Sequence, residues 1–574
     1  MAPVYDAKGN LTGTPFVPAP HTAAQPNLSE EQVKQLALAD RKVADWIARY
    51  PQGTLTKDAT YDPKTQIWTV RVWTPGAAGE IAEVTVTDTT FAITGAWTGP
   101  QVAWKMARGY PGAFGRKIND KGIWLLFCCA FLVGLADWRR LRSVRNLDLL
   151  VLLSLTASLW FFNRGDIFTA MPLVYPVFAY LLGRMLWIAK RGTATPGRPV
   201  WPVWVLVAAT VFLVGFRVGL NIRASNVIDV GYSGVIGAER IVSAGESPYG
   251  HMPVDDAGKA CGLPDSEGYI REHIQTNGRC ESANPRGDTY GPVSYLAYVP
   301  GYLIFGWSGK WDRLPASHFT AIIWDLLALA GLALVGRRFG GNRLAATLAF
   351  SWAAYPFTQY VSSSNTNDAI MPALLIWGFW LLTAPAARGL FLGLGAWTKF
   401  AALLLLPLWA SYPDALAAPR RKAVFVGGFL LATALGFWVL LLDPTPLHSA
   451  RVFWDRTFGW QLSRASPFSI WDWGVYRYLD LSAAQDVLKV VLLVGAVAAY
   501  FFPRRKNPLQ VAALTAALLI GFEIVLTHWF YLYIPWFFPF VAFAVLGPAA
   551  VRSPAPAETE PRDREIRQLV PTGG

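Results

Sequence analysis

Residues 388–422 read "RGLFLGLGAWTKFAALLLLPLWASYPDALAAPRRK", and the fold turns on how this stretch is taken. Lys399 divides it into two apolar runs, 389–398 and 400–410. Each is about half the roughly 20 residues that a membrane-spanning helix requires. With an ammonium between them, the two runs predict a broken hairpin that enters the membrane and returns on one side. Such a turn is tolerated only where protein or water shields its backbone from lipid. An unpaired ammonium in apolar surroundings is costly, which makes Lys399 a candidate for function; the alternative is a lysine that snorkels to the surface.

The rest of the chain supports a polytopic membrane protein. Of its 574 residues 53% are hydrophobic, 14% are aromatic and 26 are Trp, a composition far too apolar for a soluble protein of this size. Further apolar segments lie near 122–138, 146–162, 171–189, 201–217, 315–335, 343–360, 369–384, 422–442, 486–502, 508–526 and 530–547. The net charge of +13 comes in short basic clusters between these segments, so it signals topology and does not point to nucleic acid. Acidic or phosphorylated lipid is a suitable partner for such loops. Arg139–Arg145, Lys190–Arg198, Arg337–Arg343, Arg388, Arg420–Lys422 and Arg504–Lys506 all fall on one side if about eleven spans are counted and the 389–410 hairpin returns to its starting side. The positive-inside rule makes that side cytoplasmic.

This topology puts the loops 218–314 and 443–485 outside, together with residues 1–118. That N-terminal region predicts a small α+β soluble domain. Ser29 caps a helix in "LSEEQVKQLALADRKVADWIARYP", with Gln32 completing a capping box. "TQIWTVRVWTP" and "IAEVTVTDTTFAITGAW" alternate with period two, as antiparallel strands do. Residues 119–200 hold three additional transmembrane helices, and the tail 552–574, rich in Pro and charge, reads as disordered and cytoplasmic. The opening "MAPVYDAKGN" lacks the apolar core of a signal peptide. Three readings stand: the first span exports the domain, the true start lies upstream, or the domain is cytoplasmic and the span count is off by one.

Candidate chemistry gathers in the long loop after the fourth span, whose residues 225–290 hold ten acidic side chains against five basic ones. Asp229 comes just beyond an apolar run, and the plain reading is an acid that ends a helix at headgroup level. "GDTYGPVSYLAYVPGYLIFGW" (287–307) is apolar but broken by Pro292 and Pro300, and predicts a helix lying in the membrane surface. Cys261 and Cys280 share the loop; they form a disulfide if it faces an oxidising compartment, or stay as two thiols. Cys128 and Cys129 are packing residues inside a span. No Cys/His spacing resembles a zinc site.

In order along the chain come Asp229, "GESPYG", "TYGPVSYLAYVP", "RLPASHF" leading into a span that ends "GRRFGG", "SSSNTNDAI" and "LGLGAWTKFAALLLLPLW". Over residues 201–551 this order resembles the GT-C superfamily of membrane glycosyltransferases, and within it most resembles glycosyltransferase family eighty-seven. That family includes polyprenyl-phosphate-mannose-dependent mannosyltransferases. The sequence departs from it in having "YGP" for a Tyr-Pro-Pro-like stretch, a longer Cys-containing loop, and extra N-terminal segments. Residues 1–118 weakly resemble a PepSY domain.

The resemblance implies an inverting transferase of mannose or arabinose from a polyprenyl-phosphate donor to a lipid or cell-wall glycan at the outer face of the plasma membrane. Asp229 would be the catalytic base. The leaving phosphate needs a fixed cation, for which Lys399, Arg456, Arg464 and His528 are candidates. Tyr249, Tyr290, Asn367, Asp368, His448 and Trp454 are candidates for sugar or acceptor. Asn367 and Asp368 have a simpler reading as helix caps, and the aromatics as an interfacial belt. This chemistry requires no metal and no cofactor. A flippase of lipid-linked sugars and a non-catalytic membrane sensor are the competing readings.

Overall fold

The computed structural model describes residues 26–547 except 64, 76–78, 110–113, 194–200, 251–258, 261–271, 275–279, 283–286, 309–313, 417, 464–465 and 477–479. Arg464, Cys261 with its disulfide to Cys280, and the tail 552–574 therefore lie outside the described residues or side chains. The chain divides into two compact units. One comprises 1–113, 157–172 and 465–482, and the other 114–156, 173–464 and 483–574.

The first unit opens with the Glu30–Ala39 helix, and the Ser29–Gln32 capping box is present. The apolar pattern continues past residue 40, but the helix stops there. Asp40 accepts a hydrogen bond from the Val43 amide and starts a second helix, Arg41–Ile47. Four strands follow: β1 (Thr56–Asp62), β2 (Ile67–Trp73), β3 (Glu80–Thr87) and β4 (Ile93–Thr98). They form an antiparallel meander in chain order. Val70 and Val72 on β2 and Val84 and Val86 on β3 are buried, as their alternation predicts.

The second unit is a helical bundle. Counting helices that pass through both units, seven in the described chain are long and apolar enough to cross a membrane: Val144–Phe162, Ile167–Arg191, Val203–Ala224, Pro315–Ala354, Pro419–Leu442, Ser482–Phe501 and Pro508–Val525. Lys121–Leu135, Phe400–Ala410 and Tyr531–Leu546 are apolar but shorter. The apolar segments 343–360 and 369–384 are not uninterrupted helices. Pro315–Ala354 is two helices joined across Gly341, whose non-helical backbone (φ 74°, ψ −170°) suits glycine and separates the expected apolar segments 315–335 and 343–360; separate helices Pro356–Ser364 and Ile370–Trp380 follow. Pro356 ends the preceding helix because it has no amide proton to continue it.

Hydrogen bonds knit the basic loops to one end of the bundle. Asn507 and Gln510 donate to Gly192 O and Ala189 O, both at 2.9 and 2.8 Å respectively. Arg505 reaches Asp414 at 3.2 Å, and Arg388 donates to Leu382 O at 2.5 Å and Tyr412 O at 3.2 Å. Arg338 donates to Trp380 O and Thr383 Oγ1. The Arg388 contacts bring both ends of the 385–412 segment together, so Pro385–Ala396 leaves this end and the 400–410 segment returns to it. Lys399 stands at the turn. A helix of 12 residues is roughly 18 Å long, short of the roughly 30 Å hydrocarbon thickness, so the turn stops part-way.

Candidate active site: two aspartates, a lysine and an aromatic wall

Three segments meet at the hairpin turn, on its side away from the basic loops. The first, 225–229, leads into the Asp229–Glu239 helix. It runs beside 362–365: the Asn226 and Ile228 amides donate to Ser363 O and Ser364 O at 3.3 and 3.4 Å. Asn365 locks the two together. It adopts a left-handed conformation (φ 51°, ψ 45°), which asparagine tolerates better than most residues. Its amide donates to Ser225 Oγ at 2.9 Å and Asn226 O at 2.8 Å, and Asn221 donates to its Oδ1 at 2.9 Å. Three residues later the chain reaches Asp368, so this bridge fixes the two aspartates in one neighbourhood.

The third segment is the 287–294 loop, which rests on the hairpin turn. The Val293 amide donates to Trp397 O at 3.1 Å. Gly291 permits the approach, since a Cβ there would stand 2.0 Å from the same carbonyl oxygen. Asn367 Nδ2 donates to Ser294 Oγ at 2.6 Å and ties this loop to the Asp368 turn. Tyr290 is thereby held near both acids. Burial raises its phenol well above the ordinary range, and the negative charges of Asp229 and Asp368 add to the effect. Tyr290 accordingly keeps its proton at neutral pH and can donate it in a hydrogen bond.

Lys399 Nζ lies 3.1 Å from Asp368 Oδ1, with only 11% of the lysine side chain and 2% of the aspartate side chain exposed. Its other neighbours are ring faces: Tyr290 at 4.6 Å, Trp536 at 5.7 Å and Tyr533 at 5.9 Å from the centroids. Aromatic faces attract a cation without using up its hydrogen-bond donors. An ammonium has three N–H groups, and among the described residues only Asp368 offers Lys399 a carboxylate. The arrangement presents a fixed cation with donors to spare, over the ring of Tyr290, whose phenol also feels the charge of the half-buried Asp229.

The other candidates are less closely gathered. Asp288, buried, accepts from the Gly250 amide at 3.0 Å and lies 3.7 Å from Arg456 Nε. Arg456 is thus an anchor for the loop that carries Tyr290. Tyr249 is buried and donates to Tyr290 O at 2.7 Å, which makes it a support for that backbone. Asn367 is likewise buried; its Nδ2 is spent on Ser294, while its Oδ1 is buried without a hydrogen bond. His448 and Trp454 are exposed on the Pro446–Trp454 helix, with Trp454 packed on Phe458 at 4.9 Å. His528 is half-buried in the turn before Trp529, whose indole donates to the buried Glu523 at 2.9 Å. Sequence reasoning missed Tyr533, Trp536, Asn365 and Ser294. "FYLYIPWF" carried the aromatic signal, but in a chain so rich in aromatics it did not stand out. Among the described residues no group of three or more His, Cys, Asp or Glu is placed to hold a metal ion.

Comparison with known proteins gives no family model, no curated protein and no solved structure that this chain matches.

Proposed function

We propose that the chain is a GT-C-type inverting glycosyltransferase that uses a polyprenyl-phosphate sugar, mannose or arabinose, and glycosylates a lipid or glycan acceptor at the outer face of the plasma membrane. The observation that carries this reading is the Lys399 ammonium, held part-way into the bundle by one carboxylate and three ring faces. In this mechanism Asp229 takes the proton from the acceptor hydroxyl as its oxygen attacks the anomeric carbon. The bond from that carbon to the phosphate oxygen breaks on the opposite face, giving inversion, and the electron pair leaves with the polyprenyl phosphate. Lys399 stabilises the departing anion in a site of low dielectric, where a fixed charge acts more strongly than in water. Tyr290 positions the donor or acceptor by hydrogen bonding, and Asp368 holds the lysine in place.

The test is transfer from radiolabelled polyprenyl-phosphate mannose and arabinose to a membrane-lipid extract, by full-length protein in lipid nanodiscs, with Asp229→Asn alongside. A positioned general base typically contributes about 10²–10⁴-fold. Loss of transfer on that scale, with donor binding retained, supports the assignment. Undiminished transfer by the variant removes Asp229 from the role of base, and absence of transfer from either donor counts against the transferase.

A further inference from the structure

The first unit contains a groove of about 730 Å³, formed by the Asp40–Arg49 helix region, the Thr98–Gln101 turn and the Arg164–Phe168 turn. Clefts that take small ligands span roughly 300–1,000 Å³. The charges lining this groove fall into two sets. Asp40 and Asp166 accept from the Val43 and Thr169 amides at 3.2 and 3.1 Å, and Asp45 lies 3.8 Å from Arg41. Lys42 donates to Ala96 O and Gln101 Oε1 at 2.6 and 2.5 Å. These groups are committed to the fold or to each other.

Among the described residues the Arg49 guanidinium makes no such bond, and Arg164 makes a single long one, Nη1 donating to Trp160 O at 3.4 Å. Each guanidinium lies over a tryptophan ring, 4.4 Å from the Trp46 centroid and 3.2 Å from that of Trp160. Both residues are exposed, and among the described residues neither has a carboxylate partner. Trp46 in turn packs against Phe168 at 5.9 Å, which holds the two arginine-bearing walls together. A guanidinium seated on a ring keeps its planar edge for two parallel hydrogen bonds to a carboxylate. The Thr98 hydroxyl and the half-buried Phe168 ring complete a lining suited to a ligand with hydroxyl groups and flat apolar faces, while the Gln101 amide is already spent on Lys42 and on Gly165 O at 2.8 Å.

We propose that this groove binds an acidic oligosaccharide, with Arg49 and Arg164 receiving its carboxylates. The inference stands on the first unit alone and does not depend on the transfer chemistry proposed for the second. It is tested by calorimetric titration of the full-length protein in nanodiscs of zwitterionic lipid, using trigalacturonate, its methyl ester and a triglutamate peptide, with empty nanodiscs as the blank. Trigalacturonate should bind, and its methyl ester should bind at least ~10-fold more weakly. Arg49→Gln and Arg164→Gln should each weaken trigalacturonate binding ~10-fold or more, with thermal unfolding unchanged. Arg41→Gln, which removes a guanidinium already facing Asp45, should change it by less than ~3-fold. The proposal is overturned by the absence of trigalacturonate binding at millimolar concentration, by equal binding of the methyl ester, by equal binding of triglutamate, or by wild-type affinity in both arginine variants.

Discussion

Two of the cation–carboxylate pairs buried among the described residues of the bundle, Arg217–Asp325 and Lys399–Asp368, differ in how completely their hydrogen-bonding capacity is used. Arg217 meets Asp325 through two contacts, at 2.5 and 3.2 Å, and donates further to Ala353 O and Thr358 Oγ1. The Trp352 indole adds a bond to Asp325 Oδ1 at 2.8 Å. Every polar atom of that pair is satisfied, and both side chains are almost wholly enclosed. Lys399 and Asp368 make one contact at 3.1 Å, with no accompanying side-chain hydrogen bond to Lys399 among the described residues. The first arrangement ties helices together and leaves nothing for a ligand. The second holds charge ready for one.

The comparison is broken most severely by removing one partner of the saturated pair. Asp325→Ala strands a guanidinium among apolar helices, and loss of one member of a buried pair costs about 3–5 kcal/mol. Detergent-resistant thermal unfolding should show a loss of that order, whereas Asp368→Ala should lower stability by less than half as much. Equal losses at the two sites would abolish the distinction. Replacing Arg217 and Asp325 together by Met and Leu should recover much of the loss, because the stranded charge is then gone.

The next largest effect is expected at the other pair, and in activity. Lys399→Met should reduce sugar transfer by roughly 10²–10³-fold, the scale on which a single electrostatic stabiliser acts. The unfolding midpoint should fall by less than in Asp325→Ala. A large fall in stability with transfer intact would mean that Lys399 ties the bundle together as Arg217 does. A smaller effect on transfer is expected from Gly291→Ala. The added Cβ would stand 2.0 Å from Trp397 O and push the Tyr290 loop off the hairpin turn. Displacements of this kind cost about 10-fold or more in rate, and unchanged transfer would show that the loop tolerates the shift.

The turn at Lys399 and the meeting of the 192, 388 and 505 regions were legible because each rests on a coarse signal: a charge between two short apolar runs, and arginines gathered in loops. The end of the first helix at Asp40 was harder to see, since the apolar pattern continues past it and the residue's capping role shows only in its bond to Val43. Strand β1 was missed for a different reason. It is an edge strand whose residues are mostly exposed or half-buried, so it lacks a sharp alternation. At the candidate site, Asp229 and Lys399 stand out because charges beside apolar runs are few. The Asn365 bridge does not, because what matters is a left-handed backbone and partners some 140 residues away. Long-range polar complementarity of that kind leaves no local period to read.

The smallest predicted effect extends the comparison to a third carboxylate, in the first unit. Glu80 on β3 has Arg71 as its cation, but the separation is 3.8 Å, and Glu80 Oε1 is buried without a hydrogen bond. Arg71 also faces Asp58 at the same distance, so its charge is divided. Burial, with repulsion from Glu83, raises the Glu80 carboxyl from 4.5 to about 7. Between these values the folded chain holds a proton that the unfolded chain has released. Stability therefore falls as pH rises from about 4.5 to about 7 and levels off above that range. Amide exchange across β2 and β3 in the full-length protein, corrected for the intrinsic effect of pH, should show protection declining over this window. In Glu80→Gln the decline should flatten, because the neutral amide has no proton to lose. The same decline in the variant would assign the pH dependence to other groups, and would mean that a divided arginine at 3.8 Å is enough to keep a half-enclosed carboxylate ionised.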